Sequence, residues 1–434
     1  MKISIVGAGK IGMAMVAHYS RYRHTIQVID TNQDVVDTIN SGEFRSNEPG
    51  VTGLLKRNNG AITASTTYDN VRQTTFTMIM LPSPSDVHDK FVSIFVEQAC
   101  KKLAIALKEK QSPHIVTVCS TLMPRTMDKI IAPLFKDLPN VSLCHSPVFV
   151  ALGNVLKGLQ EPDAIIIGEN KPFGGSCLQS LFKDTTAFDT PIIRTSFVNA
   201  EMAKLLLNCF ITSKVALANT CADICEMIPG ADANQILSFM GLDSRIGSKV
   251  MKPGLGYGGT CFPRDDRALL ALCKDIGMVN HVQQGIHVSN DKHDMRVLMR
   301  ILRQAKVSND NPVVAMLGLT YKTDVDLVDE SNALAITRQL AELGVTVRAY
   351  DPKGIPAAKK VFTHDNLTYC DSVEDCVTGS DLVVLATPWP EFATIAKTLK
   401  DSMRTPAVLD CWNMWDFAKF ESMGIRYHAV GKAD

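Results

Sequence analysis

A glycine-rich segment places one cysteine where it could act as a nucleophile. Residues 254–259 contain four glycines, and Cys261 follows them, just ahead of Pro263 and Asp265. Glycines let a loop wrap closely around a ligand, and proline followed by an acid predicts the first turn of a helix. Cys261 would then lie at a helix N-terminus, a position that favours the thiolate. The pattern alone leaves two interpretations open, a nucleophile and a buried structural cysteine.

An apolar segment upstream carries two polar residues on one face. Residues 196–227 contain no proline or glycine, and their apolar positions recur at helical spacing. Lys204 and Asn208 lie four residues apart, so they are neighbours on such a helix. An ammonium and an amide on an apolar helix should have polar partners. They are either a solvated edge of the helix or a pair of donors that stabilises an oxyanion.

The N-terminus has the order strand, glycine turn, helix, strand. The apolar run Lys2–Val6 leads into GAGKIG at 7–12, and a second apolar run, Thr25–Ile29, ends at Asp30. This is GxGxxG in the context that a dinucleotide-binding fold requires. The alternative is a glycine turn with a structural role alone.

Each residue of this turn has a predicted task. Gly7 permits the tight turn, Gly9 lets the backbone approach a pyrophosphate, and Gly12 lets the helix pack closely on the strand. The free N–H groups at the helix N-terminus would bind the phosphates. Asp30 would accept hydrogen bonds from the adenosine ribose. The two residues after Asp30 are uncharged and offer nothing to a 2′-phosphate, so the sequence favours NAD over NADP.

Strands and helices alternate on both sides of the helical middle. Further strands are predicted at 77–81, 114–118, 164–167, 312–317, 345–350, 381–386 and 407–410, and a helix at 331–343. This α/β rhythm predicts two Rossmann-like doubly wound domains joined by a central helical domain with a long connecting helix. The predicted domains are 1–195 for NAD binding, 196–305 for dimerisation and catalysis, and 306–434 for the nucleotide substrate.

Composition and charge argue against several classes of protein. The 434 residues carry 45 Lys and Arg against 45 Asp and Glu, so bulk charge would not hold a nucleic acid or an acidic membrane. The longest apolar run, 205–218, is short and interrupted by polar residues, so no membrane span is predicted. The N-terminus lacks the pattern of a signal peptide. We expect a cytoplasmic protein.

The cysteines and histidines do not suggest a metal site. The twelve cysteines form no CxxC pair, and in a reducing compartment most would be small core residues. His281, His287 and His293 are spaced by six, which places them on different sides of a helix. No metal is predicted.

These segments resemble the UDP-glucose/GDP-mannose dehydrogenase family, the nucleotide-sugar 6-dehydrogenases, from residue 1 to about 415. The resemblance is carried by GAGKIG (7–12), EPG (48–50), LPSPS (81–85), STLMPRT (120–126), AEMAKLLLNCF (200–210), GYGGTCFPRD (256–265), GLTYK (318–322), YDP (350–352) and TPWPEF (387–392). The cysteine loop and the AEMxKLxxN helix are highly specific to the family.

The resemblance implies oxidation of a primary alcohol to a carboxylate with two NAD molecules in turn. Cys261 would be the nucleophile that forms a thiohemiacetal and then a thioester, and Lys204 and Asn208 would stabilise oxyanions. Asp265 would activate water or assist proton transfer, and Thr121 would help to hold that water. The resemblance also implies a homodimer formed through the long helix, with a place in polysaccharide biosynthesis.

The ligand contacts are implied in the same way. The cofactor-binding residues would be Gly7, Gly9, Lys10, Ile11, Gly12, Asp30, Pro82, Ser120, Thr121 and Arg264. The substrate-binding residues would be Phe149, Val150, Lys204, Asn208, Tyr257, Gly258 and Lys322.

Three departures from the family pattern suggest an altered substrate. Val148 and Leu152 stand where the family's PEFLxEG segment has two glutamates, Asp329 replaces an arginine, and DCWN at 410–413 replaces DGRN. An apolar wall cannot deprotonate water. UDP-glucose and GDP-mannose are therefore expected to be poor substrates.

Two other functions stay open at this point. One is a two-electron dehydrogenase or reductase that acts on an unusual polar or anionic substrate, which need not be a sugar. The other is a catalytically silent binding protein, although the presence of Cys261, Lys204, Asn208 and Asp265 argues against silence.

Overall fold

The computed structural model describes residues 1–187, 189–308 and 310–433. The chain divides into two compact units, Met1–Leu207 and Asn208–Asp434. The three-domain division stays a prediction.

The first unit contains an eight-stranded sheet with the order β3-β2-β1-β4-β5-β6-β7-β8. Its strands are β1 (Lys2–Val6), β2 (Thr25–Ile29), β3 (Ile62–Ser65), β4 (Phe76–Ile79), β5 (His114–Val118), β6 (Val141–His145), β7 (Ile165–Glu169) and β8 (Ile192–Thr195). Neighbouring strands are parallel except β6 and β7, which are antiparallel. The first six strands have the dinucleotide-binding order, which leaves a crevice at the carboxyl ends of β1 and β4.

Helices cover both faces of this sheet because its strands are apolar on both sides. Ile3 and Ile5 of β1 belong to one buried apolar cluster, and Val6 belongs to another. The helices are α1 (Lys10–Arg21), α2 (Gln33–Asn40), α3 (Val51–Arg57), α4 (Ile94–Leu107), α5 (Val155–Gln160) and α6 (Pro172–Thr185).

The next helix, α7 (Phe197–Cys225), begins in the first unit and ends in the second. Among the described residues, it is the one helix that is long and apolar enough to cross a membrane by length and composition alone. About 44% of its most apolar window is buried inside the protein. Core helices of soluble proteins pass the same test, so this is weak evidence for a span.

The second unit contains a six-stranded parallel sheet with the order β11-β10-β9-β12-β13-β14. Its strands are β9 (Val313–Leu317), β10 (Thr346–Tyr350), β11 (Leu367–Tyr369), β12 (Leu382–Leu385), β13 (Ala407–Asp410) and β14 (Arg426–Ala429). Its further helices are α8 (Ala233–Leu242), α9 (Phe262–Asp275), α10 (His281–Ser308), α11 (Asn332–Glu342), α12 (Ile355–Val361), α13 (Val373–Val377), α14 (Ala396–Ser402) and α15 (Phe417–Ser422).

The predicted fold class is confirmed. Strands β1, β2, β5 and β13 have the predicted bounds, and the other predicted elements differ by one or two residues at an end. The edge strands β3, β8, β11 and β14 were not predicted, and neither was the inner strand β6. The edge strands are short and only partly buried, so they lack the continuous apolar run that marks an inner strand. Strand β6 is fully buried, but Ser142 and His145 interrupt its apolar run.

Candidate active site

The glycine turn after β1 leaves space in front of helix α1. Gly7 has a φ of 104°, which favours glycine, and a Cβ at Gly12 would overlap the Gly7 carbonyl oxygen. A Cβ at Gly9, by contrast, would meet no atom within 4 Å. Gly9 is the N-cap residue of α1, and Lys10 and Ile11 form its first turn. A pyrophosphate therefore fits in this space, beside the free N–H groups of the helix.

Asp30 lies beside the turn, at the end of β2. Its carboxylate accepts hydrogen bonds from the backbone N–H groups of Ala8 (2.7 Å) and Asn32 (3.0 Å). The side chain is only half-buried, so its oxygens keep lone pairs for ribose hydroxyls.

A cavity of about 280 Å³ opens next to Asp30. Pro82 lines it, together with Tyr68, Phe95 and Lys102, which were not predicted from the sequence. Phe95 and Lys102 are seven residues apart on α4 and therefore share a face. Lys102 therefore places a cation in the cavity next to Asp30. The sequence has no Lys or Arg at the two positions directly after Asp30, so this cation was not expected.

The loop after β5 is tied to the loop after β4. The Ser120 hydroxyl accepts a hydrogen bond from Leu81 N (2.9 Å) and donates one to Leu81 O (2.8 Å). Thr121 follows and is half-buried. Ser120, Thr121 and Pro82 thus lie on two linked loops at the carboxyl ends of adjacent strands.

Glu201, which was not predicted as a site residue, links the loop after β5 to helix α7. Its buried carboxylate accepts hydrogen bonds from the backbone N–H groups of Arg125 (2.6 Å) and Met127 (2.8 Å). Burial raises the pKa of Glu201 to about 7, although the two N–H groups oppose this rise. Glu201 precedes Lys204 by one helical turn, so it positions the loop after β5 against the segment that carries the lysine.

Lys204 contacts the loop after β6. Its Nζ donates a hydrogen bond to Val148 O (3.0 Å) and lies 4.9 Å from the centre of the Phe149 ring. This supplies the polar partner that the sequence required, and a cation–π contact besides. The side chains of Val148, Val150 and Leu152 pack, partly buried, against the apolar core.

The course of this loop is fixed by Glu48, from the EPG segment. The Glu48 carboxylate is 6% exposed and accepts hydrogen bonds from Gly153 N (2.9 Å to each oxygen) and Val155 N (3.3 Å). It caps α5 in this way, because the N-cap residue Asn154 offers no side-chain bond.

In the second unit, Cys261 is the N-cap residue of α9 and is exposed. The other eleven cysteines are buried or partly buried. The Cys261 Sγ lies 3.6 Å from Thr260 Oγ1. The structure therefore places an accessible thiol at the N-terminus of a helix.

A buried polar cluster lies one helical turn behind Cys261. The backbone N–H of Asp265 donates to Cys261 O (2.8 Å), and the Asp265 side chain is fully buried. Its Oδ2 accepts a hydrogen bond from Asn208 Nδ2 (2.6 Å), and its Oδ1 pairs with Arg264 Nη2 (3.1 Å). The second unit thus brings Cys261, Asp265, Asn208 and Arg264 together.

The backbone of the glycine loop, residues 254–259, is held by side chains of neighbouring helices. From α7, Asn219 accepts a hydrogen bond from Gly254 N (3.0 Å) and donates one to Leu255 O (3.2 Å). An amide that both accepts and donates in this way fixes two nearby peptide groups of the loop.

Helix α10 holds the same loop further along. Asn290 accepts from Tyr257 N (2.7 Å) and donates to Tyr257 O (3.2 Å), and Asp294 accepts from Gly256 N (2.8 Å). Neither residue was predicted from the sequence. Their spacing of four places them on one helix face, but this spacing is also typical of a solvated face, so it does not single them out.

Three predicted substrate residues lie around this loop. The Tyr257 hydroxyl donates to Asp266 (3.1 Å), and burial raises the pKa of Tyr257. A Cβ at Gly258 would overlap the backbone oxygen of Glu330, so only glycine fits there. Lys322 Nζ lies 5.8 Å from the centre of the neighbouring tyrosine ring.

Three domain patterns of one protein family match the chain in order. Residues 1–186 match the NAD binding domain of the UDP-glucose/GDP-mannose dehydrogenase family, residues 198–292 match its central domain, and residues 315–417 match its UDP binding domain. The chain belongs to this family.

Relatives in this dehydrogenase family are similar over nearly their whole length. UDP-glucose 6-dehydrogenase AglM of Haloferax volcanii is 31% identical over 94% of this chain and 96% of its own. UDP-glucose 6-dehydrogenase YwqF of Bacillus subtilis is 30% identical over 100% and 98%. The structure of a UDP-glucose dehydrogenase from Pyrobaculum islandicum has a TM-score of 0.88 and 26% identity, covering 100% of this chain and 98% of that one.

Membership confirms several predictions. The chain is an NAD-dependent dehydrogenase that acts on CH–OH, of the nucleotide-sugar dehydrogenase family, and its cofactor is NAD. The individual roles of the site residues stay predictions.

The departures from the family pattern have definite places in the structure. Val148 and Leu152 are partly buried against the core of the first unit, and Asp329 is exposed. Asp410 is buried and accepts hydrogen bonds from the backbone N–H groups of Trp412 (2.9 Å) and Trp415 (2.8 Å), and burial raises its pKa. The DCWN segment therefore forms a closed turn around its carboxylate.

Proposed function

We propose that this chain oxidises the primary alcohol of a nucleotide sugar to a carboxylate, with transfer of four electrons. The observation that carries this proposal is the exposed Cys261 at a helix N-terminus, one turn from the buried Asp265. A thiol nucleophile is useful when an aldehyde must be oxidised further. The names of the relatives, which are UDP-glucose 6-dehydrogenases, support the same reaction.

The first unit provides the cofactor site. NAD, when bound, accepts a hydride from the reacting carbon in each oxidation. The glycine turn offers the pyrophosphate its N–H groups, Asp30 offers the ribose an acceptor, and the cavity beside Pro82 offers space for the adenine. Ser120 fixes the loop that carries Thr121.

Cys261 divides the reaction into two oxidations. Loss of a hydride and a proton converts the alcohol to an aldehyde, and the thiolate then adds to the carbonyl carbon to give a thiohemiacetal. Loss of a second hydride gives a thioester, and water breaks its C–S bond to release the carboxylate and restore the thiol. The Lys204 ammonium and the Asn208 amide are the donors that we assign to the oxyanions.

Hydrolysis of the thioester depends on few groups in this chain. Val148 and Leu152 supply no carboxylate, so Asp265 and Thr121 are left to orient the water. Both oxygens of Asp265 already accept hydrogen bonds, from Asn208 and Arg264. We therefore expect hydrolysis to be the slowest chemical step.

The yield of NADH per substrate molecule tests the reaction. Four-electron oxidation gives two NADH, and a yield of one supports the two-electron alternative. If no NADH forms with UDP-glucose, GDP-mannose or UDP-N-acetyl sugars, the result supports a catalytically silent protein. Cys261→Ser should abolish carboxylate formation, and Cys177→Ser, at a half-buried cysteine on α6, should not. Full activity of the Cys261→Ser protein would refute the nucleophile assignment.

We also propose that the substrate differs from UDP-glucose and GDP-mannose at its reacting end. The support is the apolar character of positions 148 and 152, where the Lys204 ammonium meets a backbone oxygen and an aromatic ring. Steady-state kinetics with UDP-glucose, GDP-mannose and UDP-N-acetyl sugars test this. A kcat/KM above roughly 10⁴ M⁻¹s⁻¹ for either of the first two would refute it.

A homodimer through α7 is a further part of the proposal. Phe210, Leu217 and Ile224 recur every seven residues and are 67%, 62% and 55% exposed. This spacing is typical of a seam between two helices, and a second copy of the same helix would cover it. Leu217→Glu should yield monomers in light scattering, whereas Val361→Glu, at a site 68% exposed on α12, should not. A dimer that survives Leu217→Glu would contradict this interface.

A further inference from the structure

His293 on α10 is buried between two hydrogen-bond acceptors. The ring is 1% exposed. Its Nδ1 lies 2.8 Å from an oxygen of the Asp223 carboxylate, and its Nε2 lies 2.7 Å from the backbone oxygen of Gly254. The ring thus connects α7, α10 and the first residue of the glycine loop.

This geometry requires a proton on each ring nitrogen. A neutral imidazole has one N–H and one acceptor nitrogen, so it satisfies only one of these two contacts. A carboxylate and a backbone carbonyl have no hydrogen to donate in return. The imidazolium satisfies both contacts, with two donors facing two oxygens.

The charges around His293 favour the imidazolium. Asp223 faces it from α7 and also pairs with Arg296, while Glu226, directly after α7, pairs with Arg300 (2.7 Å). Burial opposes the charged ring, but the bond to Asp223, the Gly254 carbonyl and the adjacent Asp294 outweigh it and raise the pKa of His293 above 6.5.

Gly254 is closely packed on its other side. A Cβ at Gly254 would overlap the ring of Trp412, which is itself fixed by a hydrogen bond to Ala386 O (2.9 Å). Trp412 stands where the family has arginine. Gly254 is therefore held between an aromatic ring, the Asn219 amide and the imidazole of His293.

We infer that the proton on His293 holds the glycine loop in its binding form, so that nucleotide binding weakens when this proton is lost. The inference rests on the proposed function, and it takes the glycine loop, which carries the predicted substrate-binding residues Tyr257 and Gly258, to hold the diphosphate of the nucleotide sugar. Without the proton, either Gly254 O loses the His293 donor or Asp223 is left with Arg296 alone. Since the imidazolium persists at low pH, the effect appears as the pH rises above 6.5.

The protonation state can be measured without any substrate. Carbon-13 NMR of the histidine Cε1 atoms should show one ring with a midpoint above pH 6.5, and His293→Gln should remove that signal. Asp223→Asn should shift the midpoint to lower pH, because it removes the carboxylate partner. A His293 midpoint at or below 6.5 would overturn the inference.

The response of the loop can be measured by fluorescence. Trp412 touches Gly254, so its emission should change with the same midpoint, and Trp412→Phe should remove that change. The His293→Gln protein should show no transition there. An unaltered transition in this variant would assign the change to another group.

Binding of UDP connects the loop to function. In the wild-type chain, the Kd for UDP in calorimetry should rise about tenfold across the transition, the value of one hydrogen bond from a charged donor. His293→Gln should bind UDP more weakly with little pH dependence. His281→Gln, at an exposed histidine of the same helix, should behave as wild type.

The outcomes separate the two proposals. An equal rise in Kd for wild type and His293→Gln would refute the role of His293. If UDP binds at no pH, the proposed function fails instead, and the NMR and fluorescence midpoints still decide the state of His293.

Discussion

The two sheets contain the same structural arrangement and use it differently. Each includes six parallel strands in the order 3-2-1-4-5-6 and a glycine with positive φ after its first strand, Gly7 at 104° and Gly318 at 100°. Each has an aspartate directly after its second strand, Asp30 and Asp351. In both sheets this carboxylate accepts a hydrogen bond from the backbone of the glycine turn.

The two aspartates differ in how many of their lone pairs the protein uses. Asp30 accepts two backbone bonds and is half-buried, whereas Asp351 is 2% exposed. Asp351 accepts from Leu319 N (2.7 Å), Gly354 N (2.6 Å) and the Trp389 indole (3.1 Å), among others. The difference teaches that the position alone does not define a ligand site. A carboxylate can take a ribose only where the fold leaves some of its acceptor capacity unused.

The largest effect should come from Asp351, whose buried carboxylate accepts hydrogen bonds only from the protein. Asp351→Ala leaves several buried N–H groups without an acceptor, so the free energy of unfolding of the second unit should fall by about 3 kcal/mol or more. The three tryptophans all lie in this unit, so their fluorescence during urea unfolding reports on it. Asp30→Ala is the matched control and should leave this transition unchanged. If Asp351→Ala lowers the free energy of unfolding by less than about 1 kcal/mol, the proposed difference between Asp351 and Asp30 is wrong.

Glu201 sharpens the comparison, because it is a buried carboxylate in the first unit that, like Asp351, accepts hydrogen bonds from the backbone. Burial raises its pKa from 4.5 to about 7. A raised pKa stabilises the folded state below pH 4.5, and this contribution is lost as the pH rises to 7. Relative to wild type, Glu201→Gln should therefore gain roughly 1–3 kcal/mol between these pH values. Calorimetry of the first unit measures this, and parallel pH curves for the two proteins would contradict it.

Asp30, which is only half-buried, should affect the choice of cofactor more than the stability of the fold. A 2′-phosphate next to Asp30 is repelled, so Asp30→Ala should raise the ratio of kcat/KM for NADP to that for NAD by about tenfold or more. Asp34→Ala, at an exposed acid on α2, should leave the ratio unchanged. Equal use of NADP and NAD by the wild-type enzyme would show that Asp30 does not discriminate.

The smallest effect should come from Lys102. In the Asp30→Ala background, Lys102→Ala should lower the use of NADP by a few-fold, since an exposed ion pair contributes about 0.5–1 kcal/mol. Lys101→Ala, at the exposed neighbour that pairs with Glu97, is the control. An identical response to both substitutions would show that Lys102 does not face the phosphate.

Local pattern predicted those parts of the molecule that local physics determines. The glycine turn, most of the inner strands and the long helix follow from chain stiffness and apolar spacing, and they lie within two residues of their predicted bounds. The inner strand β6 was missed because polar residues interrupt its apolar run. The cysteine at the start of α9 follows from the proline and acids behind it. The edge strands escaped prediction because they bury too little apolar surface to leave a pattern.

The supporting groups of the site could not be predicted, because they act across long stretches of chain. Lys102 reaches the pocket of Asp30 from another helix, and Asn290 meets Tyr257 through tertiary packing. Such polar residues look like ordinary exposed helix positions in the sequence. Only the fold shows that Lys102 faces a cavity and that Asn290 holds the backbone of a loop.

Glu48 fixes the path of the loop after β6 through the backbone of Gly153 and Val155, and it does so without using the side chains of that loop. The carboxylate grips backbone N–H groups, which every substitution except proline retains. The loop that carries Val148 and Leu152 can therefore exchange side chains while its ends stay in register. Evolution or protein engineering can therefore restore carboxylates to this loop, or introduce other groups, without changing the backbone that supports it.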